Sequence, residues 1–337
     1  MKTLKLGMVG GGQGAFIGGV HRMASRLDGR WELVAGALSS HPARAEASAK
    51  ELGLDPKRSY QSYAEMAVQE AARADGIDAV AIVTPNHMHA GPAIAFLEAG
   101  IHVICDKPLA ATSEQAQLID AAVRASKAHF IFTHNYTGYP VIRQARKLVE
   151  NGELGEIRVI QAEYAQDWLS QAADNKQADW RVNPEKSGAG AIGDIGTHAL
   201  NLASFVSGLQ PQALCADLHS FVDGRRVDDN AHIMLRFEKG AKGMLWASQV
   251  AVGCENTLTI RIYGEKAGLE WQQENPNQLS FTRFGQAKQL LTRGGAGFGE
   301  TSGDWTRIPP GHPEGYLEGF ATLYSEAADL ISGIGAG

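Results

Sequence analysis

Short apolar runs alternate with amphipathic stretches along the first part of the chain, up to about residue 135. Runs such as Ala79-Val80-Ala81-Ile82-Val83 are apolar throughout, which is typical of strands buried on both faces of a sheet. Strands that alternate with helices of about 10–15 residues predict βαβ units and a parallel sheet. The predicted strands are Leu4–Val9, Trp31–Leu38, Ile77–Thr84, His102–Cys105 and Phe130–Thr133. The predicted helices are one through His21 to Leu27, then Ala43–Leu52, Ser62–Ala72, Gly91–Ala99 and Ser113–Ser126.

The pattern changes after about Asn135. One helix follows, and then longer segments in which apolar and polar residues alternate, as in Ala231–Phe237. Such alternation predicts an antiparallel sheet with one packed face and one open face. Gly285–Gly315 is rich in Gly and Pro and is expected to be an extended loop. The other predicted elements are helices Val141–Glu150 and Tyr316–Ile331 and strands Glu156–Ala165, Leu214–Val222, Asp229–Phe237, Lys242–Ala251, Thr257–Gly264 and Gly268–Gln273.

The predicted fold class is therefore α/β with two domains. A chain of 337 residues is expected to divide, since single cores stop growing at roughly 250–300 residues. Residues 1–134 form the domain with the parallel sheet. Residues 135–337 form an α+β domain with a large, open-faced, mostly antiparallel sheet.

A glycine-rich turn follows the first predicted strand. Gly10-Gly11-Gly12-Gln13-Gly14-Ala15 fits G-x-G-x-x-G/A and opens a helix, the context of a Rossmann dinucleotide-binding site. Glycine lets a pyrophosphate approach the backbone, and the helix N-terminus supplies free N–H groups. A tight turn without a ligand is the weaker alternative. Six glycines between Gly10 and Gly19 also allow a register that ends on Gly18, with Ala15, Phe16 and Ile17 over the phosphates.

The end of the second strand bears on the choice of cofactor. NAD-preferring sites usually have an acidic residue there for the ribose 2′-hydroxyl, but this segment has Ser39, Ser40 and Arg44 instead. Arg44 can pair with a phosphate, or it can be a solvated helix residue. The segment therefore favours NADP, and NAD stays an alternative. After the third strand, Thr84, Pro85, Asn86 and His89 are expected to contact the cofactor, and no metal site is expected.

Two further segments carry chemistry. Asp106-Lys107-Pro108 follows the fourth strand, so Lys107 can reach the ligand crevice, although it can equally be an exposed turn lysine. Asp194 and His198 are four residues apart in a glycine-rich segment; on one helix they share a face and can form an acid–base pair. The alternative is that Asp194 caps the helix while His198 packs in the core.

These motifs, in this order, resemble those of the Gfo/Idh/MocA oxidoreductases over nearly the whole chain. Asp106-Lys107-Pro108 is similar to the family's Glu-Lys-Pro motif, with Asp in place of Glu. The resemblance implies that His198 deprotonates a substrate hydroxyl, that Lys107 contacts this hydroxyl and the nicotinamide ribose, and that Asp194 binds and orients the substrate. Asp106 is expected beside the cofactor. The alternatives are a hydride-shuttle enzyme that recycles its cofactor, and a non-catalytic nucleotide-binding sensor.

The substrate is expected to be a secondary alcohol of an uncharged cyclic sugar, anhydrosugar or inositol, because similar segments occur in family members that oxidise such compounds. Aromatic and polar side chains can stack on sugar faces and bind hydroxyls, although the tryptophans can also be packing residues at a sheet edge. The candidate substrate-binding residues, besides Lys107, Asp194 and His198, are Asn135, Tyr136, Trp168, Trp180, Arg181 and His312.

Composition limits the partners. A net charge of -6 and a pI near 6.0 argue against nucleic acid and give no reason to expect an anionic membrane surface. No apolar run approaches the roughly 20 residues of a membrane span. The N-terminus lacks the pattern of a signal peptide and the three cysteines do not form a disulfide framework, so a cytoplasmic protein is expected. The open sheet face predicts a homodimer or homotetramer.

Overall fold

The computed structural model describes residues 3–172, 175–298 and 305–334. The chain forms two compact units, one of Met1–Thr133 with Phe320–Gly337 and one of His134–Gly319. The sequence-based boundary assigned everything after residue 134 to the second domain. The structure instead groups the chain from Phe320 onward with the first unit, because hydrogen bonds join Tyr324 to His21 and to Trp31.

The first unit contains a five-stranded sheet in the order β2-β1-β3-β4-β5, and all neighbouring strands are parallel. The parallel sheet and all five predicted strands are confirmed, with ends that shift by up to two residues. All five residues of β3 are buried, as expected of a central strand. The strands are β1 (Leu4–Gly10), β2 (Trp31–Ala37), β3 (Ala79–Val83), β4 (His102–Asp106) and β5 (Phe130–Thr133).

Helices connect these strands, and some of them begin with a side-chain cap while others do not. Ser62 and Thr112 cap their helices, since each hydroxyl accepts a hydrogen bond from the backbone N–H three residues later. The helices after β1 and β2 begin at Phe16 and Pro42 without a side-chain cap. The helices are α1 (Phe16–Leu27), α2 (Pro42–Glu51), α3 (Tyr63–Ala72), α4 (Ala90–Glu98) and α5 (Ser113–Ala125), with short 3₁₀ turns at Pro56–Arg58 and Asn86–Met88.

The second unit contains an eight-stranded sheet in the order β13-β12-β11-β10-β6-β9-β8-β7. Neighbouring strands are antiparallel except for β6 and β9, so the predicted mostly antiparallel sheet is confirmed. The strands are β6 (Ile157–Ala165), β7 (Pro211–His219), β8 (Asn230–Phe237), β9 (Lys242–Ser248), β10 (Thr257–Gly264), β11 (Ala267–Gln272), β12 (Gln278–Arg283) and β13 (Gln289–Thr292).

The last two strands were not predicted from the sequence. No element was predicted at β12, although Leu279 and Phe281 alternate with polar residues there and are buried, and β13 fell inside a loop expected to run from Gly285 to Gly315. Both strands lie at one end of the sheet, and three of the four residues of β13 are exposed, so its apolar alternation is weak. Residues 299–304 of the predicted loop lie outside the described residues.

One face of the second sheet is packed and the other is open in the described residues. Residues in β8 alternate between buried and exposed along most of the strand. Helix α9 packs on β6, β9 and β10, and α6 packs on α9 and β12. The helical segments are α6 (Pro140–Glu150), α7 (Lys176–Arg181), α8 (Pro184–Ser187), a π-helical segment Ile192–Gly196, α9 (Thr197–Ser207) and α10 (Tyr316–Ile331), with 3₁₀ turns at Asn135–Gly138 and Glu238–Gly240. Over the described part of the chain, none of the helices is long and apolar enough to cross a membrane.

Candidate active site

The glycine-rich turn brings the end of β1 into direct contact with α1. Gly10 and Gly11 have φ angles of 79° and 71°, in the left-handed region that favours glycine. A Cβ atom on Gly18 would lie 2.4 Å from the Cα atom of Gly11, so this helix position requires glycine. The register that ends on Gly18 therefore describes the turn, and Ala15 is the residue that precedes α1.

A cavity of about 330 Å³ opens beside this turn. Its polar wall is fixed by internal hydrogen bonds, since Ser48 Oγ accepts from Gln13 N at 3.0 Å and Arg22 donates to Gly11 O at 2.6 Å. Gln13 Nε2 donates to Glu51 at 2.9 Å. Uncapped helix amides, a close glycine backbone and a ready cavity fit the pyrophosphate of a dinucleotide. The lining includes Gly12, Gln13, Ala15, Phe16, Arg22 and Ser48.

The residues after β2 offer no carboxylate to a ribose. Ser39 Oγ accepts a hydrogen bond from His41 N at 3.1 Å, which shapes the turn into α2. Ser40 and Arg44 are exposed, and α2 begins without a side-chain cap. A hydroxyl, a guanidinium and free backbone N–H groups thus lie together at this helix end, a combination that suits an anion.

In the segment after β3, the predicted cofactor-binding residue His89 lies in the interior of the unit. His89 is completely buried, and its ring nitrogens lie 2.8 Å from Pro108 O and 2.9 Å from Thr84 O. The prediction that His89 contacts the cofactor is therefore corrected, because the ring joins two loops inside the unit. Burial lowers the pKa of His89, although the two carbonyls and Asp106 oppose this shift. Thr84, Pro85 and Asn86 lie at the strand end, as predicted.

Lys107 follows β4 directly and is partly exposed, while Asp106 is buried. The carboxylate of Asp106 points into the unit, where Oδ1 accepts a hydrogen bond from Thr133 Oγ1 at 3.0 Å. The expectation that this carboxylate lines the cofactor is corrected accordingly. Burial alone would raise the pKa of Asp106, but His21, Lys107 and His89 together hold it below its usual range.

In the second unit, Asp194 and His198 lie on a continuous but irregular helix. Asp194 belongs to the π-helical segment Ile192–Gly196, whereas His198 is the second residue of α9. The prediction of one regular α-helix is corrected, since the wider π turn changes where Asp194 projects relative to His198. Single π turns inside helices are frequent at functional sites.

The carboxylate of Asp194 is held by two side chains. Its Oδ2 atom accepts from Arg181 Nε at 3.1 Å and from Gln249 Nε2 at 2.9 Å. Arg181 in turn lies over the rings of Trp180, at 4.3 Å, and Trp168, at 5.8 Å. These contacts bring together Asp194, Arg181, Trp180 and Trp168, all of which were predicted from the sequence to bind substrate.

Aromatic rings surround His198, which is 6% exposed. The ring centroid of Tyr136 lies 4.9 Å from that of His198, and those of His134 and Tyr164 lie at 5.4 Å and 6.0 Å. An imidazole enclosed in this way has little freedom to rotate. A fixed histidine that can exchange a proton is what general acid–base chemistry requires.

Tyr136 is buried, and its hydroxyl is part of an internal chain of hydrogen bonds. The hydroxyls of Tyr136 and Tyr164 are 2.6 Å apart, and Tyr164 donates to Asn256 Oδ1 at 2.7 Å. Gln166 donates to the same oxygen at 2.7 Å and accepts from Trp168 Nε1 at 3.0 Å. The hydroxyl of Tyr136 is thus engaged inside the wall around His198, while its predicted contact with a substrate stays a prediction.

Asn135 and His312 differ in exposure. Asn135 is 1% exposed, and within the described residues its Nδ2 atom has no hydrogen-bond partner, which is costly for a buried donor. His312 is exposed on a loop fixed by Arg293, which donates to the backbone carbonyls of Ile308 and Pro309. The structure thus leaves His312 accessible and Asn135 enclosed.

Asp228, which was not predicted from the sequence, holds the segment that carries Asp194. Its two carboxylate oxygens accept hydrogen bonds from Gly190 N at 2.8 Å and Ile192 N at 2.7 Å. A Cβ atom on Gly190 would lie 1.7 Å from the backbone oxygen of Asp228, so Gly190 must be glycine. The glycine-rich composition was a signal of close approach, but nothing in the sequence identified the partner 38 residues away.

Comparison with known proteins gives matches over both units. The family model described as the oxidoreductase family with an NAD-binding Rossmann fold, GFO/IDH/MocA, matches residues 4–136. The model of the GFO/IDH/MocA C-terminal domain matches residues 142–270. The same order of domains is seen in both the sequence and the structure.

Solved structures and curated relatives agree with these matches. An oxidoreductase from Sinorhizobium meliloti is 56% identical, with a TM-score of 0.92 over 99% of this chain and 90% of that one. An inositol dehydrogenase homologue from Azotobacter vinelandii, solved with NADH and myo-inositol, is 38% identical, with a TM-score of 0.93 over 99% and 87%. Levoglucosan dehydrogenase from Pseudarthrobacter phenanthrenivorans is 31% identical over 83% of this chain and 76% of that protein.

Replacing Asp228 with Asn tests the anchor of the π-helical segment. An amide has one acceptor oxygen, so one of the two backbone N–H groups would lose its partner at a cost of about 1–3 kcal/mol. We expect a lower unfolding temperature and faster hydrogen–deuterium exchange in peptides that cover residues 190–198. Asp223→Asn changes an exposed carboxylate on the same loop and should alter neither. Unchanged exchange in Asp228→Asn would contradict this account.

Proposed function

Because the chain belongs to the GFO/IDH/MocA family of oxidoreductases with an NAD-binding Rossmann fold, we propose that it transfers a hydride between a nicotinamide cofactor and a secondary alcohol of an uncharged cyclic polyol or sugar. The observation that carries this proposal is the enclosed His198, which lies one helical turn after a carboxylate, Asp194, fixed by Arg181 and Gln249. Cyclic sugars, anhydrosugars and inositols are the proposed substrate class.

The surroundings of Asp194 support an uncharged substrate. The guanidinium of Arg181 is 3.1 Å from the carboxylate and lies over two tryptophan rings, so its charge is balanced inside the unit. The indole rings of Trp168 and Trp180 offer flat apolar surfaces of the kind that stack on sugar rings. The names of two relatives, levoglucosan dehydrogenase and an inositol dehydrogenase homologue, point to the same class of compound.

We assign the catalytic roles as follows. His198 accepts the proton of the substrate hydroxyl, and Lys107 donates a hydrogen bond to the hydroxyl oxygen and stabilises negative charge there. Asp194 binds a neighbouring hydroxyl and orients the ring. A nicotinamide cofactor, when bound, would supply the acceptor for the hydride of the carbinol carbon in the oxidative direction. Asn135 and His312 are proposed as further substrate contacts, the first through its buried amide and the second from its exposed loop.

The proposed cofactor-binding residues are those around the glycine turn and the strand ends. The pyrophosphate would be held by the glycine turn and the start of α1. These residues are Gly10, Gly12, Gln13, Ala15, Phe16 and Ile17. Ser39, Ser40 and Arg44 would face the adenosine ribose, where the absence of a carboxylate permits the 2′-phosphate of NADP. We therefore propose that the protein accepts NADP and that NAD also binds. The other proposed cofactor-binding residues are Thr84, Pro85, Asn86 and Lys107.

A reducing compartment, the cytoplasm, is the proposed place of action. Cys105, Cys215 and Cys254 are free thiols in the structure. Free thiols are common in cytoplasmic proteins and uncommon in secreted ones.

Lys107→Met, His198→Asn and Asp194→Asn test the catalytic assignment. We expect each to lower kcat/KM by roughly 10²–10⁴-fold, because each removes a charged or proton-transferring group. Rates would be measured at 340 nm on a panel that includes myo-inositol, levoglucosan and glucosides, with NAD⁺ and NADP⁺. Lys127→Met and His219→Asn change exposed residues of the same types and should retain full activity.

Three results would contradict this proposal. Full activity in both Lys107→Met and His198→Asn would exclude the assigned roles. Turnover of substrate without net reduction of cofactor would favour the hydride shuttle. Cofactor binding without turnover of any compound in the panel would favour the nucleotide-binding sensor.

Arg44→Ala tests the cofactor assignment. Loss of the guanidinium should raise the Kd for NADPH by about tenfold, or 1.4 kcal/mol, and leave the Kd for NADH nearly unchanged. Fluorescence titration with NADPH and NADH measures both constants. Lys50→Ala removes an exposed cation from the last turn of α2 and serves as the control. Equal effects of Arg44→Ala on both cofactors would argue against contact with the 2′-phosphate.

We also propose that the open face of the second sheet joins copies of this chain into a homodimer or homotetramer. Met234, Met244 and Val159 are exposed on this face and lie in adjacent strand registers. Arg261 bridges Glu163 at the same face, so the apolar side chains have a charged border. A second copy would present the same combination, as a two-fold interface requires.

Met234→Arg tests this interface, because it places a charge among the exposed apolar side chains. Size-exclusion chromatography with light scattering should show a multiple of 36.0 kDa for the native chain and a smaller species for the variant. Val68→Arg, an exposed position on α3, should not change the assembly. A native chain that elutes as a 36.0 kDa monomer would refute the proposal.

A further inference from the structure

Asp106 links the strand end that carries Lys107 to two neighbouring elements. Its carboxylate is buried, and Oδ1 accepts from Thr133 Oγ1 of β5 and lies 3.6 Å from His21 Nε2 of α1. The residue that directly precedes Lys107 is therefore held from two sides within the first unit.

His21 is itself fixed inside the unit. It is completely buried, and its Nδ1 atom lies 2.8 Å from the hydroxyl of Tyr324 on α10. The ring of Phe320 packs against it, with centroids 4.9 Å apart. Tyr324 is held at its other end as well, because its carbonyl accepts from Trp31 Nε1 at 2.8 Å. The imidazole thus has one orientation.

The hydroxyl of Tyr324 lets His21 direct an N–H group to Asp106 in either charge state. In the neutral ring with a proton on Nε2, Nδ1 accepts a hydrogen bond from the hydroxyl of Tyr324. In the charged ring, Nδ1–H donates to the same oxygen, because a hydroxyl is both donor and acceptor. The protonated Nε2 atom faces the carboxylate in both cases.

This arrangement matters because a buried carboxylate is stable only if its charge is compensated. The ionisable and polar groups that face Asp106 come from α1, β5, the start of α4, α10 and its own segment. They are His21, Thr133, His89, Tyr324, Cys105 and Lys107. His21, Lys107 and His89 together outweigh the effect of burial on the pKa of Asp106, so Asp106 is ionised at neutral pH.

We propose that His21, held by Tyr324, is a positioning residue for Lys107 that acts through Asp106. This inference rests on the proposed catalytic role of Lys107. Without the imidazole, Asp106 loses the nitrogen that lies 3.6 Å from its carboxylate inside the unit, and it either takes up a proton or turns outward. In both cases the segment that presents Lys107 loses one of its attachments.

A double-mutant cycle that needs no substrate tests the coupling. Lysines that are reductively methylated with ¹³C retain their charge and give separate NMR signals, and Lys107→Arg identifies the signal of Lys107. We expect His21→Gln to shift this signal in the native background but not in Asp106→Asn. His102→Gln, at the opposite end of β4, is the matched control and should leave the signal unchanged.

The pH profile of kcat/KM provides the second measurement, with the best substrate of the panel above. His21 lowers the pKa of Asp106, so His21→Gln should raise this pKa, and kcat/KM should begin to fall at a higher pH than in the native chain. Tyr324→Phe removes only the hydroxyl and should shift this acid limb in the same direction by less. It also replaces His21→Gln in the cycle if that variant does not fold.

The outcomes separate this inference from the proposed function. An unchanged Lys107 signal in His21→Gln, or an equal shift in the Asp106→Asn background, overturns the inference and leaves the catalytic assignment intact. Full activity in Lys107→Met overturns the assignment itself, whatever His21 does. A merely structural role for His21 would lower the unfolding temperature without moving the acid limb.

Discussion

Backbone N–H groups that are shielded from water must find acceptors wherever a regular element ends, and in this chain three buried or half-buried carboxylates provide them. Asp228 accepts from two amides ahead of His198. Asp229 accepts from the amides of residues 221 and 222, and Glu314 accepts from those of residues 307 and 308. Each carboxylate therefore holds two backbone amides of a turn or helix start. Removing one would leave both of these donors without their partner.

Much of the fold could be predicted because the strands of the first unit are continuous apolar runs. All of the residues in β3 are buried, so burial and apolar composition coincide there. The second unit was harder because its edge strands are mostly exposed. β13 has the sequence Gln289-Leu290-Leu291-Thr292, and at four residues it is too short to show alternation. Glycine and proline around it suggested a loop instead.

Only some residues of the candidate site could be predicted from the sequence. Lys107, Asp194 and His198 were identifiable because each lies in a short motif with a defined spacing. Asp228 and His21 were not, since their partners are 38 and 303 residues away in the chain. His89 shows the converse limit, because a histidine at a strand end has the sequence pattern of a ligand contact whether its ring points outward or inward. Only the structure shows that both ring nitrogens meet backbone carbonyls.

The return of the chain to the first unit at Phe320 has a consequence for biosynthesis. A ribosome makes the whole of the second unit before it makes Tyr324. The hydrogen bonds that join His21 and Trp31 to Tyr324 can therefore form only at the end of translation. The N-terminal unit is therefore the last to be completed, contrary to the usual order in which the first domain of a nascent chain folds first. A premature stop near residue 319 would leave the second unit whole and the first unit without the segment that carries Tyr324.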